Sequence, residues 1–549
     1  MVALGRGQTY PARLLEHLLA KSESIPLLLC LVSRPEPESP AARLCATAAR
    51  RHGARYTELV LAPLSPDETS ALIHGLLDAT GLTRQFCDLL MHRTEGNPFF
   101  IEEVVRSLID MGVLARRPGE GWRLTQRIQD IAIPDTIQGV IAARIDRLEE
   151  SPKRTLKLAA VIGPVFPYRV LRAVIGEEER LRRDLVELER ADLIRERRRD
   201  PELEYAFTHA FVQEVADQSI LLQPRSELHQ AVAGAIESLF PDRLEEFSGV
   251  LAHHYAEAGV WDKAEQYLLK AGDQASRIAA DAEALAHYSK AVEAYSRSQG
   301  DRWDRVQHAA LERKMGEAFF RRGEHGRAEE YLRRALTLLG GVAPPPSRWG
   351  IRAAIAQQVA VQAWHRLRPR WSAPTTPGHM DPTAEERARI YEAMTWIDYF
   401  GDQERLLLDG LVWLNLAEQH GLGANIALGF SAIGIMCDAI QCRRLARSYM
   451  RRALALSRQL QHPVALGYAY MGMALCEENE PGGIPAALDY LERSAEAFSK
   501  AGHVRGWGAA TWQRGYQISR GGDFVGALDL LREVARIAQD AGARQMWGW

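Results

Sequence analysis

A small residue, a large one three positions later and a second small one seven positions later recur through the C-terminal half of the chain. The copies are Ala264/Tyr267/Ala271, Ala328/Tyr331/Ala335, Ala446/Tyr449/Ala453, Ala487/Tyr490/Ser494 and Ala527/Leu530/Val534. Offsets of three and seven share one face of an α-helix, so each copy marks a helix whose backbone meets a neighbour closely while its large side chain fills the adjoining groove. Glycine stands five positions before the first small residue in three copies (Gly259, Gly323, Gly522), where an αα-hairpin has to turn. It stands twelve before in three copies (Gly316, Gly434, Gly515), where helix backbones have to approach. Copies in one register require stacked helix pairs, because no pair can bury its apolar face alone.

The spacing is that of tetratricopeptide-like repeats, with the last copies about 40 residues apart against a standard of about 34. Ala343-Pro344-Pro345-Pro346 interrupts the array, as does the Pro-, Thr- and Gly-rich stretch 370–382. Arg348 to Leu367 is therefore expected as one helix isolated between two loops, and 370–382 as the point most open to proteases. The chain stops at Met546-Trp547-Gly548-Trp549 instead of a polar capping helix, so the array is expected to be truncated.

The N-terminal part reads differently. Leu14 to Lys21 predicts a helix, Pro26 to Val32 a buried strand, Ala42 to His52 a helix and Tyr56 to Leu61 a second strand: a βαβ remnant of an α/β domain. Ser65-Pro66-Asp67-Glu68 carries a Ser N-cap, Pro at N1 and Glu at N3, a capping box. Helices follow over about 66–78, 83–93 and 98–112, the last opening at Asn97-Pro98. From Pro134 the pattern gives helices over about 136–149, 151–162, 168–175 and 178–191. Strands at Leu193 to Arg197 and Glu204 to Phe207 then flank Arg199-Asp200-Pro201 as a hairpin wing.

Composition narrows the classes of function. With 46 % apolar and 25 % charged residues and a net charge of -3, the 549-residue chain is ordinary globular protein without bulk attraction to nucleic acid or membrane. The longest apolar stretch, Ile25 to Val32, falls short of the roughly 20 residues that span a bilayer, and no signal peptide is expected. Six scattered cysteines (Cys30, Cys45, Cys87, Cys437, Cys442, Cys476) form no C-x-x-C and are expected as reduced core thiols of a cytoplasmic protein. His253-His254 are adjacent and point apart on a helix, so one should pack while the other faces water; neither they nor Cys437 and Cys442 suit a metal.

The module order resembles the signal-transducing (STAND) branch of the AAA+ ATPases, in bacterial regulators where an ATPase module precedes a winged helix and a tetratricopeptide array. The resemblance rests on Leu27-Leu28-Leu29, Leu61 to Thr69, Arg93 to Leu108, Ile133 to Leu148 and Phe207 to Glu214. A class III adenylyl or guanylyl cyclase domain often precedes the module in such proteins. The implied fold is mainly α: a partial AAA+ core over 1–63, a helical lid over 64–133, a winged-helix domain over 134–224, and tetratricopeptide-like helices over 225–342 and 383–549 around a linker with one helix at 343–382. By the same resemblance Arg34 matches the sensor arginine near the γ-phosphate, Pro98 the lid proline on adenine, and His209 the winged-helix histidine at the β-phosphate.

The nucleotide cradle itself is missing from the sequence. No G-x-x-x-x-G-K followed by Ser or Thr occurs, and Gly5-Arg6-Gly7-Gln8-Thr9 lacks the spacing and the lysine. No apolar strand ending in acidic residues for Mg²⁺ is found either. The chain is therefore expected to bind no cofactor and hydrolyse no ATP by itself, with ATP or ADP belonging to an intact parent protein. The expected partner is a protein or peptide in the groove of the repeats, with the oligomeric state left open. The rival reading is a fragment of a cyclase, or of an ATP-binding transcription regulator, whose catalytic part lies upstream.

Overall fold

The computed structural model describes residues 28–33, 39–77, 83–117, 121–127, 133–200, 202–278, 280–300, 303–341, 347–367, 381–478 and 480–540, with a few isolated positions besides. The chain divides into two compact units, residues 1–264 and 265–549. It is mainly α, and the only sheets among the described residues are short and antiparallel.

The first unit opens with α1 (Pro40–His52), capped by Ser39, whose Oγ accepts from the Ala42 N–H at 3.1 Å. Neither expected strand is present among the described residues. Residues 28–33 and 56–65 carry no strand assignment, and Leu59, Val60 and Leu61 are 82 %, 84 % and 90 % exposed. Their apolar run is strand-like in composition, but a strand exists only through ladder bonds to a neighbour, which composition cannot supply. The expected helix at 14–21 and the Pro26 end of the first strand lie largely outside the described residues.

Beyond Leu64 local signals and structure agree. α2 (Pro66–Leu77), α3 (Arg84–Thr94) and α4 (Pro98–Asp110) form a helical group, and the capping box closes at its entry. Ser65 N–H donates to Glu68 Oε2 at 2.8 Å, and Glu68 N–H donates to Ser65 Oγ at 3.3 Å. Ile73, Phe86, Leu90, Ile101, Val104 and Leu108 make the core of this group. Gly96, at φ +71°, brings its carbonyl to the Leu64 N–H at 2.8 Å, and a Cβ there would lie 2.4 Å from the Leu64 oxygen. An antiparallel hairpin of β1 (Leu114–Arg117) and β2 (Gly121–Leu124), which the sequence patterns did not predict, follows α4.

The next group contains α5 (Ile137–Asp146), α6 (Glu150–Ile162), β3 (Val165–Pro167), α7 (Tyr168–Ile175) and α8 (Glu178–Arg190), then β4 (Ile194–Arg198) and β5 (Glu204–Phe207). The predicted hairpin is there, and β3 adds a third strand in the order β3-β5-β4. Three residues are too few for a periodic signal, which is why β3 was not legible. The unit continues with α9 (Ala210–Gln218), α10 (Leu222–Leu239) and α11 (Ser248–Glu257).

The repeats begin at α12 (Trp261–Arg277) and α13 (Asp281–Gln299) and run through α14 (Arg305–Arg321), α15 (His325–Leu338), α16 (Arg348–Leu367), α17 (Pro382–Gly401) and α18 (Gln403–His420). α19 (Gly423–Ala439), α20 (Arg443–Leu460), α21 (Pro463–Glu478), α22 (Ile484–Lys500), α23 (Val504–Arg520) and α24 (Phe524–Asp540) follow. The register predicted from small residues holds at each copy. Ala264, Ala328, Ala335, Ala446, Ala453, Ala487 and Ser494 are all fully buried. Gly259, Gly323 and Gly522 take φ of +72°, +81° and +91°, the left-handed turn after a helix that glycine adopts without strain. A Cβ on Gly434 would lie 2.6 Å from Met450 Cε and one on Gly316 2.9 Å from Leu332 Cγ, so these backbones do approach closely.

α16 departs from expectation. It is one helix, but it packs on α18 instead of standing alone: Gln362, 4 % exposed, donates to Asn415 at 2.6 Å and to Glu418 at 2.7 Å, and accepts from the Tyr449 hydroxyl at 3.1 Å. Flanking prolines report where a helix ends and carry no information on what its faces meet. Most of Ala343-Pro346 and of 370–382, and all of 546–549, lie outside the described residues.

Candidate functional site

The three residues singled out by resemblance are placed unequally. Arg34 lies outside the described residues. Pro98 is the first residue of α4, behind the Asn97 cap, whose Oδ1 accepts from the Phe100 N–H at 3.2 Å. His209 is the N-cap of α9: its Nδ1 accepts from the Phe211 N–H at 3.3 Å, and its ring stacks on Phe99 with centroids 3.6 Å apart. The structure thus brings the start of α4 and the start of α9 together. Burial pulls the His209 pKa down, with Glu103 opposing, so near neutrality it acts as a neutral acceptor.

Beside this contact lies a buried ion pair. Glu103, 2 % exposed, meets Arg144, 6 % exposed, and the guanidinium also donates to the Ala191 carbonyl at 2.6 Å. Arg106 pairs with Asp192, and Arg147 donates to Ser107 Oγ at 3.2 Å. The network ties α4 to α5 and to the turn after α8. Its charges have partners, which is the condition under which burial of charge is tolerated.

Two histidines are buried together near the end of the first unit. His229 and His254 approach Nδ1 to Nδ1 at 2.8 Å, so one ring donates to the other. His253 is exposed, as its position beside His254 on a helix requires. Burial, with neighbouring imidazoles, lowers His229 to about 4 and His254 to about 3. His229 was not legible as a partner from sequence. Among the described residues no group of three or more His, Cys, Asp or Glu could hold a metal, and no helix is long and apolar enough to cross a membrane. All six cysteines are free thiols; Cys30 and Cys442 are exposed, against the expectation of core thiols, because each lies at a helix-free or cap position.

A cavity of about 500 Å³ in the first unit is lined by Arg169, Glu202, Phe240 and Arg243, and its cations are matched, Arg243 by Glu246 at 2.6 Å and Arg169 by Glu202 at 3.9 Å. The second unit encloses a cavity of about 400 Å³ of a different kind. α14 contributes Arg313, Glu317, Phe320 and Arg321, α17 contributes Arg389, Glu392 and Trp396, α21 contributes Tyr468, and the start of α23 contributes Arg505. The Arg505 guanidinium lies 5.5 Å from the Phe320 ring centre and 5.6 Å from that of Trp396. His503 caps α23, its Nδ1 accepting from the Gly506 N–H at 3.0 Å, and thereby fixes where Arg505 leaves the helix.

The wall is electrostatically perturbed. Burial, reinforced by Glu317 and opposed by Arg313, Arg389 and Arg505, raises Glu392 to about 7. Burial also raises the Tyr468 hydroxyl and lowers Arg505. Such shifts concentrate where ligands or reacting groups are accommodated. These residues stand far apart along the sequence and fit no motif; only the return of the array on itself assembles them.

Comparison with known proteins finds similarity to one family model and to solved structures. Residues 65–115, spanning α2 to the start of β1, match the family model described as a domain of unknown function, DUF8739. No curated protein matches the chain. Among solved structures, the chain is similar to a signal-transduction ATPase with numerous domains (STAND) protein with a tetratricopeptide repeat sensor from Pyrococcus horikoshii, at 14 % identity and TM-score 0.31, covering 90 % of this chain and 69 % of that one. It is also similar to a Rap protein complexed with competence and sporulation factor (12 % identity, TM-score 0.32, 74 % of this chain and 91 % of that one). The apo form of RapI is a third (14 %, TM-score 0.30, 73 % and 86 %). At these values the similarities assign no function.

Proposed function

We propose that this chain is the partner-binding, regulatory portion of a STAND-type protein: the repeat array takes a protein or peptide segment in the cavity walled by α14, α17, α21 and α23, and the chain by itself does not hydrolyse ATP. The observation that carries the reading is that cavity, where Arg505, Glu392 and Tyr468 stand without hydrogen-bond partners among the described residues, beside the partly exposed Trp396. Stacked helix pairs form extended inner surfaces suited to a linear segment. The four helices and three-stranded antiparallel sheet over α5 to β5 support a winged-helix reading of 134–224, and a cytoplasmic setting completes the proposal. The neutral, capping His209 and the lack of a phosphate cradle in the sequence support the view that nucleotide is not held by these residues alone.

Hydrogen exchange of the full chain with and without a degenerate heptapeptide pool tests the binding reading. Protection is expected on α14, α17, α21 and the first turn of α23; protection elsewhere only, or none, overturns it. Calorimetric titration with Mg·ATP is expected to show no binding in the micromolar range. Micromolar affinity that is lost in both Arg34→Ala and His209→Ala would revive the nucleotide reading.

A further inference from the structure

The charged groups on the cavity wall are matched with one exception on each side of neutrality. Arg313 pairs with Glu317 at 2.5 Å and Glu386 at 2.6 Å, Arg321 with Asp281 at 2.7 Å, and Arg389 with Glu385 at 2.6 Å. Arg505 has no hydrogen-bond acceptor or carboxylate within ion-pair distance among the described residues, and its neighbours are the two rings. Aromatic faces hold a guanidinium by its charge and plane but accept none of its five N–H donors. The Glu392 carboxyl and the Tyr468 hydroxyl, on the same wall, likewise have no hydrogen-bond partner among the described residues. Keeping a half-buried cation unpaired costs free energy that an incoming anion would recover.

We propose that the cavity is the anchor site for an acidic peptide, whose carboxylate forms a charge-assisted pair with Arg505 and accepts from the Tyr468 hydroxyl while its chain covers Trp396. This deepens the peptide-binding reading above and rests on it. The volume of about 400 Å³ exceeds what a bare carboxylate or phosphate occupies, and the partly exposed faces of Trp396 and Tyr468 would stay wet around a small anion, so a carboxylate carried on a chain is the better fit. Glu392 adds a pH dependence. It is faced by Glu317 and Arg313 from α14, by Arg389 from its own helix and by Arg505 from α23. An anion on Arg505 withdraws that cation's field from Glu392 and adds a negative neighbour, so binding takes up a proton, and affinity falls as pH rises through about 7.

The test uses the full chain on beads with a degenerate heptapeptide pool, read by mass spectrometry. Captured peptides are expected to be enriched in Asp and Glu over Asn and Gln at one position. Arg505→Gln removes the enrichment and weakens capture about tenfold, the scale of one charge-assisted bond, while Arg505→Lys keeps part of it. Circular dichroism confirms that both variants fold. Glu392→Gln flattens the fall in capture between pH 6 and pH 8. Capture without acidic preference, or acidic preference surviving in folded Arg505→Gln, overturns the anchor alone; capture of nothing above blank beads overturns the peptide reading with it. Succinate or inorganic phosphate displacing the peptides at equal concentration shows a small-anion site and overturns the peptide as occupant.

Discussion

The two regions of this molecule treat buried charge in opposite ways. Beside α4, Glu103 and Arg144 are both almost fully buried, and Arg144 also reaches a backbone carbonyl, so the charges exist to hold helices together. In the cavity of the repeats, Arg505 is held by rings and meets no carboxylate within ion-pair distance among the described residues. A paired buried charge is a structural tie, whereas an unpaired one is a vacancy in the electrostatics that a second molecule can fill. Mutation should separate the two.

The largest effect is expected at the tie. Glu103→Ala removes the buried partner of Arg144, leaving it the half-exposed Asp110 at 3.6 Å and the Ala191 carbonyl, and should cost about 3 kcal/mol in urea unfolding, whereas the double change Glu103→Met with Arg144→Leu should recover most of it. A loss under about 1 kcal/mol would mean that the pair is not buried in solution. Next in size is overpacking of the repeats: Ala446→Leu or Ala328→Leu forces extra volume into a closed helix contact and should cost about 1–3 kcal/mol. Unchanged melting of both would break the register on which the array is built.

The histidine pair comes third. The folded pKa values of about 4 for His229 and about 3 for His254 lie below the unfolded value near 6.5. The unfolded chain therefore binds more protons below pH 6.5. Stability conferred by keeping the pair neutral is present above that pH and is lost as pH falls toward about 4, by roughly 1.4 kcal/mol per pH unit for each histidine. Replacing both histidines by Phe should flatten the acid limb of the denaturation midpoint against pH; an unaltered limb would show that the pair does not titrate as a buried unit. The smallest effect is expected at Arg505, where Arg505→Gln should leave unfolding free energy within about 0.5 kcal/mol of the parent, since the lost ring contacts are offset by relief of the unpaired, half-buried cation. A large loss there would make Arg505 another structural tie and erase the contrast.

How far each region could be read in advance follows from the range of the forces involved. The capping box at Ser65 and Glu68, the cap at Asn97 and the turns at Gly259, Gly323 and Gly522 came out as predicted, because each is decided within a few residues. The strands expected at 26–32 and 56–61 are not formed among the described residues, for the converse reason. Leu59-Val60-Leu61 has the composition of a strand but no ladder partner among the described residues. β3 and the β1–β2 hairpin went unseen because short strands carry almost no periodic signal.

The sequence by itself determined that the chain is mainly helical, where its repeats stack and which small residues face inward, because spacing along a helix fixes which side chains share a face. Only the tertiary structure decided that α16 joins the array through Gln362, that His229 finds His254, and that Arg505 comes to lie between Phe320 and Trp396. The first two depend on which faces neighbouring helices turn to each other and the last on helices far apart in sequence being brought together, quantities that no local pattern of residues encodes.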